Sequence, residues 1–131
     1  MVNITIRPAA WHAAGSLKAE GHAGRLEKGT GIDLVCASVT TLLEGLAVNL
    51  TEMAGITTKL RAEAGNYSIR WTREYHGAKP NALSDANSAA WHFYRALNAL
   101  AKTYPDNVSV RWIKQEYMRP GKGRPKKNEI E

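Results

Sequence analysis

A fixed succession of hydrophobic periods along the chain restricts the folds open to it. Val2, Ile4 and Ile6 alternate with Asn3, Thr5 and Arg7, the period of two of a half-buried strand, and Pro8 ends the run by removing a ladder donor. After a turn around Ala13 to Gly15, Leu17, Ala19 and Gly21 alternate with Lys18, Glu20 and His22, which predicts a second strand returning beside the first. The period then changes. Val35, Val39, Leu42, Leu43, Leu46 and Leu50 form one apolar stripe on a helix from about Leu34 to Met53, with Asp33 placed to cap it. Past Gly55, Thr58, Leu60 and Ala62, then Tyr67, Ile69 and Trp71, alternate on either side of Ala64-Gly65-Asn66 as a second hairpin. Ala89, Ala90, Phe93, Leu97, Leu100 and Tyr104 predict a second helix from about Ser84 to Tyr104, closed by Pro105, and Val108, Val110 and Trp112 a last strand. The order ββαββαβ gives an α+β fold in which one mostly antiparallel sheet packs against two helices.

With 131 residues, 44% of them hydrophobic, the chain suits one domain, placed at residues 1–117, with a basic tail at 118–131. Arg119, Lys122, Arg124, Lys126 and Lys127 supply much of the net charge of +6, so the body is only mildly basic. No stretch reaches the ~18 apolar residues of a membrane span, and the start of the chain has no signal-peptide pattern, so a cytoplasmic protein is expected. The single Cys36 excludes an intrachain disulfide and a multi-thiolate metal site and suits a reducing compartment. His12, His76 and His92 share no metal-ligand spacing with one another or with Cys36. Neither metal nor cofactor is expected.

Cys36 would occupy the third position of the first helix, where unpaired N–H groups and the helix dipole favour a thiolate, and His22 is the imidazole that the chain can bring to it. Position alone also allows Cys36 to be a small buried hydrophobe, His22 a turn residue and Asp33 a cap with no further duty. Gly21-His22-Ala23-Gly24, followed after a polar loop by Asp33-Leu34-Val35-Cys36-Ala37, resembles the ribosomal-processing cysteine protease family called Prp, which carries GHAG and D-[IV]-V-C-A elements in this order. The resemblance extends more loosely to Tyr104-Pro105-Asp106-Asn107-Val108 and stops before the tail.

It implies a small homodimeric α+β cysteine endopeptidase that removes the N-terminal extension of a large-subunit bacterial ribosomal protein, or acts on a related phage protein. Cys36 is then the nucleophile, His22 the base and acid, Gly21 its conformational support, and Asp33 the acidic residue before the cysteine. Thr40 stands where the family commonly has serine, and the loop between His22 and Cys36 is about two residues longer than usual. Asp33 has two roles open to it, orienting His22 or capping the helix. The loop rich in Gly24, Gly29 and Gly31 fits no phosphate-binding fingerprint and suits a cover over bound peptide.

A different reading starts from the tail, where Lys122-Gly123-Arg124-Pro125-Lys126-Lys127 resembles an AT-hook. On that reading the protein is a non-enzymatic module that contacts RNA, DNA or the ribosome through Lys122, Arg124, Lys126 and Lys127. Trp91 and Tyr94 lie off the main stripe of the second helix, either facing a partner subunit or covering the rim of the core.

Overall fold

The computed structural model describes residues 1–10, 13–22, 33–74 and 81–114. Its elements are β1 (Val2–Arg7), β2 (Gly15–Gly21), α1 (Leu34–Thr51), β3 (Ile56–Glu63), β4 (Asn66–Arg73), α2 (Ala82–Thr103) and β5 (Val108–Trp112). This is the expected α+β order, with α1 ending two residues early and α2 starting two residues early. The tail residues Lys122, Arg124, Lys126 and Lys127, the loop from Gly24 to Gly31, His12 and His76 lie outside the described residues.

The strands form one mixed sheet in the order β3-β4-β2-β1-β5. Three neighbouring pairs are antiparallel, and β5, returning after α2, lies parallel to β1 with Ile4 opposite Val110. A helical connection is what a parallel neighbour requires, since a tight turn cannot reverse the chain twice. Register carries the apolar positions into rows across the sheet, Ile6 opposite Leu17 and Leu17 opposite Ile69. These residues and Val2, Ile4, Trp71 and Val108 are buried against both helices.

Helix α1 supplies Val35, Val39, Leu43, Leu46, Ala47 and Leu50 to that core. Ala47 joins the stripe that periodicity outlined, while Leu42 is only half-buried at its margin. By length and composition alone this helix could cross a bilayer, with a mean hydropathy of 1.5 over 18 residues, which corrects the expectation that no stretch reaches that length. Its stripe is instead the centre of the domain. Leu60 and Ala62 face the helix side of the sheet yet remain exposed, because β3 is an edge strand.

Trp71 is fully buried beneath α2, where Asn87 holds it. The Asn87 Oδ1 accepts from the Ala9 N–H at 2.8 Å and from the Trp71 indole N–H at 3.2 Å, and its Nδ2 donates to the Ala9 carbonyl at 2.8 Å. One amide thus satisfies three groups that would otherwise be costly to remove from water. Of Trp91 and Tyr94, Tyr94 is half-buried and Trp91 is 43% exposed. Trp91 meets Trp112 edge to face at 4.9 Å and Tyr94 packs on the core.

Candidate active site

Asp33 has extended backbone angles and its carboxylate Oδ1 accepts from the Cys36 N–H at 2.8 Å, so it is the N-cap of α1 and Cys36 is the third helical residue. Capping, one of the two roles open to Asp33, is thereby seen directly. The Ala37 N–H donates to the Asp33 carbonyl at 3.0 Å, which leaves Leu34 and Val35 as the first-turn amides without a hydrogen bond among the described residues. Thr40, one turn on, donates its hydroxyl to the Cys36 carbonyl at 2.9 Å. Cys36 is half-buried and packs against the core.

His22 follows the last residue of β2, and Gly21 before it has a φ of +99°, a region that L side chains rarely adopt. The Gly21 N–H donates to the Gly65 carbonyl at 2.9 Å, tying the end of β2 to the turn between β3 and β4. A Cβ on Gly21 would run into the Met1 carbonyl oxygen, and one on Gly65 would lie 2.8 Å from the His22 Nε2. Glycine at both positions therefore lets the chain turn and the exposed imidazole lie against the hairpin.

Cys36 and His22 line one cleft of about 390 Å³, with Thr40 and Glu44 of α1 on one side and Ala62 to Tyr67 of the hairpin on the other. No hydrogen bond joins Cys36 to His22 among the described residues, and catalytic contacts in free enzymes are often long before substrate arrives. Gly21 also borders the cleft. Of the expected site residues, Cys36, His22, Gly21 and Thr40 surround one space, and Asp33 sits one turn behind it.

Sequence reasoning missed Glu44 and Tyr67. Glu44 lies eight residues after Cys36, two helical turns along the same face, so its spacing held a usable signal. Tyr67 gave none, since only the pairing of β2 with β4 brings it beside Ala19 at the cleft. Its hydroxyl oxygen is buried and has no hydrogen-bond partner among the described residues. Burial, and secondarily the Glu44 carboxylate, raise the phenol above its ordinary value, which keeps it a proton donor.

The cleft thus brings together a thiol near a helix N-terminus, an imidazole and a buried Tyr67 hydroxyl with no hydrogen-bond partner among the described residues. A family model described as cysteine protease Prp matches residues 1–109. No curated protein matches the chain. The ribosomal processing protease Prp from Staphylococcus aureus, solved with a covalently linked product peptide, superposes with a TM-score of 0.63 at 17% identity, over 86% of this chain and 99% of that one. The same protease with a substrate peptide gives 0.62 at 16% identity, over 86% and 99%. SMU.848 from Streptococcus mutans gives 0.62 at 28% identity, over 88% of this chain and 96% of that one.

Proposed function

Because this chain belongs to the Prp family of cysteine proteases, we propose that it cuts the N-terminal extension from a large-subunit ribosomal protein, with Cys36 as nucleophile and His22 as general base. The observation carrying this reading is the meeting of Cys36 and His22 at one cleft from two separate elements, the start of α1 and the end of β2.

His22 takes the thiol proton, and the Cys36 sulfur adds to the scissile carbonyl carbon while the carbonyl electron pair moves onto oxygen. The Leu34 and Val35 amides, unbonded in the first turn of α1 among the described residues, are the donors this reading assigns to that oxyanion; the Cys36 amide is already engaged by Asp33. The oxyanion collapses, the C–N bond breaks, and the imidazolium gives its proton to the departing amine. Water, losing a proton to the same imidazole, then adds to the thioester and releases the acid product and the thiol. Thr40 holds the Cys36 carbonyl in the helix, fixing the backbone under the nucleophile.

Tyr67 gives the peptide a donor. A buried hydroxyl without a partner is unfavourable until something accepts from it, and a peptide carbonyl in the cleft can do so. Tyr67→Phe is expected to leave urea stability unchanged or slightly higher while raising KM by about threefold to tenfold with little change in kcat. Reduced stability with unchanged KM would show that the hydroxyl has only a structural part.

A ribosomal-protein target and a single thiol support a cytoplasmic site of action, and a phage protein bearing a similar extension is a second substrate this reading allows. By resemblance the protein works as a homodimer, for which Leu34, Val48 and Leu60 offer exposed apolar surface. The direct test is incubation with the extended ribosomal protein and mass measurement of the products. Two fragments separated at one peptide bond are expected. An intact substrate after prolonged incubation with folded enzyme would sink the reading.

A further inference from the structure

Strand alternation turns the apolar residues toward the helices and leaves the opposite face of the sheet wholly polar. One solvated face is ordinary for such a sheet. The sign of the charge on this one is not balanced. Arg111, Lys18 and Arg61 fall in one row across the strands, with Thr5 and Ser68 between them. Arg7, Arg70 and Lys59 fall in the next row, with Ser16 between Arg7 and Arg70. Five of these six cations are exposed, and Arg7 is half-exposed. The only carboxylates facing the same way from the strands are Glu20 and Glu63, both in the row nearest the His22 end, and Glu63 pairs with Arg61 at 3.4 Å. Elsewhere up to residue 118 acidic and basic residues nearly cancel. The charge of the body, mild when counted along the chain, is thus gathered on one surface.

Stability does not account for this placement. Arg70 and Lys59 are directly opposite each other on neighbouring strands, a like-charge pair that disfavours the sheet. At ~4.8 Å between strands the first row runs about 19 Å across the sheet and the second about 14 Å. Serine and threonine hydroxyls stand between the cations as further donors to phosphate oxygens. The outward strand positions carry no aromatic residue, since Tyr67 and Trp71 turn inward, so the surface has nothing on which to stack bases.

We propose that this face binds the sugar-phosphate backbone of RNA without sequence preference, on the side of the sheet away from the helices that carry the catalytic cysteine. The choice of RNA over other polyanions rests on the ribosomal-protein reading above, since such a substrate is made to sit among RNA. Docked by this face, the enzyme would keep its cleft open to a protruding peptide.

The test uses the full chain and a fluorescein-labelled 20-base-pair RNA duplex, with binding read by anisotropy and no peptide present. Each phosphate neutralised contributes about fivefold to eightfold in affinity at 0.1 M salt. Lys18→Glu, Lys59→Glu and Arg70→Glu combined should therefore weaken binding on the order of a hundredfold and flatten its salt dependence. Lys59→Thr and Arg70→Thr guard against misfolding, because they should keep or raise stability while still losing affinity. Both sets should cut the extended ribosomal protein as wild type does. Three results would overturn the proposal: no RNA binding by wild type at 50 mM salt, a DNA duplex or an acidic protein bound more tightly than RNA, or full binding by the sheet variants with loss only on neutralising Lys122, Arg124, Lys126 and Lys127. Because binding and cutting are read separately, failure of cleavage alone would count against the protease substrate and not against this surface.

Discussion

Cys36→Ala is expected to fold normally and to lose at least about a thousandfold in cleavage of the extended ribosomal protein. The side chain is half-buried at the margin of the core, so removing one sulfur atom costs on the order of 1 kcal/mol in packing and leaves the Asp33 cap intact. The chemistry has no such reserve, for without the sulfur no thioester can form. His22→Ala should lose a comparable factor, because a nucleophile and its base act as a unit and deleting either removes the function of both. The exposed imidazole contributes little to the core, so its removal should not alter the unfolding transition. Cleavage rates of both variants, set beside urea denaturation curves, decide the matter. Turnover by folded Cys36→Ala would exclude the assigned nucleophile, and wild-type turnover by His22→Ala would require another base.

The second large effect is expected at a residue that performs no chemistry. Gly21→Ala puts a Cβ against the Met1 carbonyl oxygen and forces an L side chain to a φ of +99°. Strain of this kind costs about 1–3 kcal/mol, and the chain can relieve it only by moving the end of β2, which carries His22. Activity should fall by a hundredfold or more, since a misplacement of about 1 Å can have that effect on a reacting pair. Gly65→Ala shares the strain of a positive φ, +74°, but differs in its neighbour: its Cβ meets the far end of the imidazole at 2.8 Å, which can swing away, and not a backbone carbonyl. That variant should lose activity with less loss of stability than Gly21→Ala. Full activity in Gly21→Ala would mean that the glycine does not position the histidine.

Much of this molecule was legible before any coordinates, for reasons that vary by element. Alternation over Val2 to Arg7 and the stripe from Val35 to Leu50 located β1 and α1 because each buries one face only, and burial of one face is what periodicity records. Asp33 could be read as a cap because capping is local, involving residues three apart. Leu60 misled because alternation states which way a residue points and not whether anything lies above it; at the sheet edge nothing covers it. Tyr67 and the partnership of Gly21 with Gly65 were invisible, being products of pairing between strands some 45 residues apart. The basic face escaped for the same reason. Lys18, Lys59, Arg70 and Arg111 are scattered along the chain, and only register assembles them.

Cys36, the proposed nucleophile, rides on α1, the helix that contributes the most buried residues among those described. Its sulfur is consequently as well anchored as the domain itself, and heat should silence turnover only at the temperature where the whole domain melts. Substitutions that loosen Val39, Leu43 or Leu46 should therefore lower thermal stability and turnover together.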